Sequence, residues 1–239
     1  MKKTVILSTN DKEEYFGYLP YVQMAWNSLG WDTLTFYLGG KSLEDTPENK
    51  IVRIEPILGY RDETVLQVIR LLGFRYVSGL VMTSDVDMMP LSKYWDPSLK
   101  GVTSYGADLC NYKQYPMCYV AAQVKFWEKL IPEHHLINLL NKYSAAKSEG
   151  FEEWWYVDQF IITERINQLR SNWSENVFFV DRGQYQPLFC RKLIAKGRID
   201  RVGWIATKLS KNVKIDAHLP RPFSKNAALQ LLKKYHGIS

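Results

Sequence analysis

Over roughly its first ninety residues the chain alternates short apolar runs with amphipathic ones, and few folds accept that alternation. Thr4–Leu7 (TVIL) reads as a short buried strand running into a polar loop, Ser8–Asp11. From about Pro20 a helical pattern places Tyr21, Met24, Ala25 and Leu29 on one face, with Gly30 as its stop. Thr33–Leu38 is a second strand, closed by Gly39 and Gly40, and Ile51–Ile54 a third. Asp62 caps a helix carrying Val65, Val68, Ile69 and Leu72, which Gly73 ends. Leu80–Thr83 is the fourth strand. Strands that alternate with helices in this way form βαβ units, whose strands lie parallel. The fold class expected is therefore α/β, with a mainly parallel central sheet flanked by helices.

The second half is less regular. Val102–Tyr105, Tyr119–Val124 and Val177–Val180 read as strands, and Phe126–Ile131, His135–Tyr143 and Trp155–Leu169 as helices. Arg182–Phe223 is rich in Gly, Pro, Arg and Lys without a clear period, and Ala227–Tyr235 reads as a terminal amphipathic helix. No repeat, low-complexity tract or linker divides the chain, so 1–239 is read as one domain. The net charge of +6 is spread along the sequence, which speaks against a nucleic-acid-binding tail and leaves room for a basic pocket. Three cysteines, Cys110, Cys118 and Cys190, have no C-x-x-C spacing, which points to a reducing compartment. The opening MKKTVILSTND is too short for a signal-peptide core, and no apolar run reaches the length of a membrane span. A cytoplasmic location is expected.

The fourth strand runs straight into two carboxylates: GLVMTSDVDMMPL, Gly79 to Leu91. Residues i and i+2 of a strand share a side, so Asp85 and Asp87 are expected to face one object beyond its end. That edge of a parallel sheet is where ligands bind. Two neighbouring carboxylates repel and call for a cation. Oxygen ligands without cysteine suit a hard divalent ion, Mn²⁺ or Mg²⁺, that shares its shell with phosphate. With 12 aspartates in the chain, chance alone supplies roughly half a D-x-D, so the strand context carries the weight rather than the tripeptide.

In that context VMTSDVDMMPL resembles the strand, D-x-D and proline segment of GT-A fold glycosyltransferases, a Rossmann-like single-domain fold. The resemblance extends over most of the chain. Ile6–Asn10 is similar to the first strand and the loop that holds a nucleoside. YPMCYVAAQVKFWEKL (Tyr115–Leu130) and WYVDQFII (Trp155–Ile162) resemble segments of glycogenin-like and family 8 enzymes. The small stand-alone GT-A domains of large algal DNA viruses are similar overall.

The resemblance implies a metal-dependent transfer of a sugar from a nucleoside-diphosphate sugar, UDP-sugar first, to a hydroxyl acceptor such as a glycan. Asp87 would be the direct metal ligand and Asp85 would reach the metal, the ribose or both. Thr9 and Asn10 would line the nucleoside pocket, and Ser84 and Val86 would contact the donor beside the aspartates. Arg70 would meet the diphosphate or ribose. His218, in KIDAHLPRPF, would be a late third metal ligand, although Arg221-Pro222-Phe223 stands where the family 8 pattern has Lys-Pro-Trp.

An acceptor hydroxyl is a poor nucleophile, so an inverting enzyme adds a carboxylate base. The candidates are Asp158, within the apolar stretch WWYVDQFII, and Glu152 or Glu153 beside it. Hydrophobes at i±3 and i±4, Trp154, Trp155, Ile161 and Ile162, would surround Asp158 and raise its pKa. Its alternative is a helix N-cap. Three rival functions fit the residues less well. A phosphohydrolase of the haloacid dehalogenase type would want threonine where Met89 stands. A nucleotidyltransferase making a nucleotide sugar would want a Gly-rich loop after the first strand, and STNDKEEY has none. A non-catalytic sugar-binding module would not need the acidic pair.

Overall fold

The first half of the central sheet is four parallel strands: β1 (Lys3–Asn10), β2 (Asp32–Leu38), β3 (Asn49–Arg53) and β4 (Leu80–Thr83). The computed structural model describes residues 1–110, 113–143, 157–172, 176–185, 194–201 and 214–238. β1 lies between β2 and β4, so Thr4 stands opposite Asp32 on one side and Val81 on the other. The sheet continues through β7 (Val120–Gln123), β6 (Val102–Tyr105) and β8 (Val177–Val180), giving the order β3-β2-β1-β4-β7-β6-β8. β7 alone of these seven runs antiparallel to its neighbours.

Both faces of the sheet are covered, which is why its strands read as nearly unbroken apolar runs. On one face Ile6, Leu34, Phe36 and Val81 pack beneath α3 (Asp62–Arg70), α4 (Val124–Leu130), α5 (Leu136–Tyr143) and α6 (Val157–Asn172). There the Trp127 indole, wholly buried, donates its single N–H to the Val81 carbonyl at 3.1 Å. On the other face Val5, Leu7 and Met82 pack against α2 (Leu19–Ser28) and α7 (Lys225–Leu231), the latter capped by the Ser224 hydroxyl. A one-turn helix, α1 (Glu13–Phe16), precedes α2.

Several expectations shift. β1 runs on to Asn10 because Ser8, Thr9 and Asn10 keep ladder partners in Phe36, Tyr37 and Leu38; of the segment read as a loop, Ser8–Asn10 is strand and Asp11 lies beyond it. In α2 the buried face is Leu19, Val22, Ala25 and Trp26, and Met24 is exposed, since the indole of Trp26 decides which side turns inward. Asp62 is the first helical residue of α3, with Arg61 at the cap position. The segment read as patternless holds β9 (Gln184–Tyr185), β10 (Ile194–Ala195), β11 (Arg198–Ile199) and β12 (Asp216–His218). β12 pairs with β11 and with β5 (Met88–Pro90), which follows the aspartates. Strands of two or three residues are too short to show a period. Among the described residues no helix is long and apolar enough to cross a membrane.

The connections position the site. From β1 the chain moves outward to β2 and β3, then returns to β4 on the opposite side of β1. The carboxyl ends of β1 and β4 thus flank the point where strand order reverses, and a crevice opens there in α/β sheets.

Candidate functional site

The turn after β4 is fixed by main-chain bonds. Ser84 N–H donates to the Ile6 carbonyl at 3.0 Å, and Met88 N–H to the Asp85 carbonyl at 3.1 Å. Residues 84–87 are therefore a turn rather than a continued strand, and strand alternation does not aim Asp85 and Asp87 at one object. Each carboxylate has found its own cation within the chain.

Asp85 pairs with Arg70, the last residue of α3 and almost fully buried. The Arg70 guanidinium also donates to the Ser84 carbonyl at 3.0 Å and to Asp158 in the first turn of α6. Arg70 thus lines the cleft while bridging two carboxylates from different parts of the chain. Burial pushes the Asp158 carboxyl above its ordinary value, while the Arg70 charge pulls it down and Asp85 adds to the rise. Ile161 and Ile162 are buried beside Asp158, whereas Phe160 turns outward, as the helical spacing predicts. Among the described residues Asp158 Oδ1 accepts from the adjacent Gln159 N–H, at 2.8 Å, which is not the N2 or N3 bond of a helix cap.

Asp87 faces a different set of partners. The β5–β12 ladder sets His218 opposite Met88, and Leu219 N–H donates to the Asp87 carbonyl at 2.8 Å. On Asp87 Oδ2 converge Arg221 Nη2 at 2.8 Å, Arg201 Nη1 at 3.1 Å and His218 Nε2 at 3.5 Å. Burial would raise this carboxyl, but the His218 bond and the charges of His218, Arg221 and Arg201 hold it far below the usual range. Asp200 Oδ2 lies 3.3 Å from His218 Nδ1 and fixes the ring from behind. Burial disfavours the imidazolium, yet bonds to Asp200 and Asp87 outweigh it, so His218 titrates above its ordinary value.

Behind this wall Asp216, wholly buried on β12, holds Arg182 at 2.8 Å and Arg198 at 2.9 Å. The segment after β12 is anchored as well. Tyr18 OH accepts from Ser224 N–H at 2.9 Å and donates to the Pro220 carbonyl at 2.5 Å. The Phe223 ring sits so close to Gly17 that a Cβ there would come within 2.7 Å of it. The Arg221 guanidinium lies 4.3 Å over the Tyr15 ring.

Arg70, Asp85, Asp87, Asp158, Arg198, Arg201, His218 and Arg221 line one cleft of about 330 Å³ at the strand-order switch. The structure brings Thr9, Asn10, Arg70, Asp85, Val86, Asp87, Asp158 and His218 together there. Ser84 is wholly buried and acts through its backbone groups. Glu152, Glu153, Trp154 and Trp155 lie outside the described residues, as does Cys190. Asp85, expected to reach the metal, the ribose or both, is paired with Arg70. Among the described residues no three His, Cys, Asp or Glu side chains are grouped to hold a metal. Sequence reasoning missed Tyr15, Glu63, Arg198 and Arg201, which carry no local pattern, whereas Gln159 lies in the WYVDQFII segment. Arg221 had a signal in Arg-Pro-Phe. Cys118 also lines the cleft, but burial pushes its thiol up to about 12, which leaves it unreactive. The sequence matches no known protein family and no curated protein.

Proposed function

We propose that the chain is a GT-A fold glycosyltransferase that moves a sugar from a nucleoside-diphosphate donor to a hydroxyl acceptor. One observation carries the reading: the cleft at the sheet's switch point has an acidic wall and an arginine wall. Arg198, Arg201 and Arg221 on β11 and beyond offer guanidinium forks suited to a diphosphate. Thr9 and Asn10, at the end of β1, suit the nucleoside. Across the cleft, Asp158 has the burial that favours a proton acceptor of raised pKa, and Arg70 sets its position.

The donor set also fits a hard divalent ion. Asp87 Oδ2 and His218 Nε2 are 3.5 Å apart, close enough to meet on one centre, and Asp200 orients the imidazole. Two protein donors suffice where phosphate oxygens and water complete the shell. Mn²⁺ or Mg²⁺ bound there would supply charge neutralisation for the departing diphosphate.

The test is calorimetric titration with UDP and GDP, with and without Mn²⁺, followed by an assay for nucleotide release from the matching sugar donors. Binding strengthened by Mn²⁺ together with turnover is expected. Failure of every nucleoside diphosphate to bind would sink the reading, and binding without turnover would leave a sugar-binding module.

A further inference from the structure

We infer that Asp87 Oδ2 is a shared partner, held by Arg201 and Arg221 in the free protein and released by both when a nucleoside diphosphate arrives with a divalent cation. The inference rests on the proposed donor class, and it concerns how the site is loaded.

Two guanidinium nitrogens, at 2.8 and 3.1 Å, and the His218 Nε2, at 3.5 Å, sit on one carboxylate oxygen. An ion placed on that oxygen beside them would lie against two guanidinium charges. The arginines and the ion are therefore alternatives at Asp87. The two arginines are also the ones able to leave. Their side chains are 27% and 25% exposed, whereas Arg182, locked on Asp216, is 1% exposed. Arg221 stays over the cleft after release because its guanidinium rests on the Tyr15 ring. A diphosphate gives both arginines a new anion and so frees Asp87 and His218 together.

Nucleotide and cation then strengthen each other through the protein, in addition to any direct contact between them, and the effect is reciprocal. Removing the arginines should improve binding of the cation alone while weakening the nucleotide. These opposite signs separate a latch from simple damage to the site.

The experiment titrates Mn²⁺ alone, read by the electron paramagnetic resonance signal of free Mn²⁺, into the wild type and the R201Q/R221Q double variant. UDP titrations follow with and without Mn²⁺. The double variant should bind Mn²⁺ about tenfold tighter or more, bind UDP more weakly, and lose most of the mutual strengthening. R201K/R221K, which keeps the charges, should bind Mn²⁺ as weakly as the wild type and serves as the folding control. Adding Asp87→Asn should abolish the gain. Equal or weaker Mn²⁺ binding in the double variant overturns the latch, as does a gain that survives Asp87→Asn. If no nucleotide binds to any form, the functional reading fails, while the Mn²⁺ comparison still decides the latch.

Discussion

The two walls of the cleft hold charge in opposite ways. On the wall built by β1, α3, the turn after β4 and α6, one guanidinium, Arg70, serves two carboxylates, Asp85 and Asp158. On the wall built by β11, β12 and the segment beyond, Arg198 faces the cleft and shares Asp216 with Arg182 behind it, while Arg201 and Arg221 share Asp87, which reaches them from the turn after β4. One side has carboxylates in excess and the other has arginines. An inverting transferase of the kind proposed would use that division, because its acceptor loses a proton on one side while the departing diphosphate gains charge on the other. The contrast can be broken by removing single members of each cluster.

The largest effect is expected from Asp158→Asn, which keeps the shape and much of the hydrogen bonding to Arg70 but cannot take a proton. Turnover should fall by roughly 10²–10⁴ with UDP affinity little changed. Near-normal turnover would strip the acidic wall of its chemical role and shift suspicion to Glu152 or Glu153.

Next comes Asp216→Ala, on the arginine wall. Asp216 is wholly buried and the Arg182 side chain 1% exposed, so the change leaves a buried cation without its partner. Unfolding in urea should show a loss of about 3–5 kcal/mol. The matching change on the other wall, Asp85→Ala, removes a carboxylate 39% exposed and should lower stability by less than about 1 kcal/mol. Equal losses would mean that the two walls do not differ in how deeply their charge is set.

The same asymmetry explains what could be read from the sequence. β4 and the helix from Asp62 were legible because four strand residues and a full helical face leave a period to detect. Asp85 and Asp87 were legible as a pair at a strand end, but not as members of separate ion clusters. That separation depends on a turn closed by Met88 N–H and on arginines more than a hundred residues away. The second wall was nearly invisible. Arg198 and Arg201 lie on or beside a two-residue strand, and His218 on a three-residue one. Only pairing with β5 brings His218 to Asp87.

Asp87→Ala should have a smaller effect on the fold than Asp216→Ala, although Asp87 is itself buried. Arg201 and Arg221 are each about a quarter exposed and can turn to water once the carboxylate is gone. A stability change of roughly 1 kcal/mol or less is expected. The loss should instead appear in binding, where Mn²⁺ no longer strengthens UDP. Full Mn²⁺ dependence in this variant would remove Asp87 from any metal site.

The smallest effect is a difference in pH response, and it tests whether burial or Arg70 governs Asp158. Burial sets the folded pKa of Asp158 above its ordinary 3.8. Below that value the carboxyl is neutral in both folded and unfolded chains and burial carries no ionic penalty. As pH rises through the folded pKa, the group must ionise in its buried place, and stability is lost. Asp216 behaves in the reverse sense. Its carboxyl is held well below 3.8 by Arg182 and Arg198 despite burial, so its contribution is present above 3.8 and is lost as pH falls. Subtracting the Asp158→Asn unfolding free energy from that of the wild type cancels Asp216 and isolates Asp158. Measured in urea between pH 4 and 6, this difference should fall with rising pH, by about 1.4 kcal/mol for each unit by which the folded pKa exceeds 3.8. A difference that rises with pH would show that the Arg70 charge wins. Asp158 would then be a fixed anion of a structural ion pair, and the acidic wall would have to find its base elsewhere.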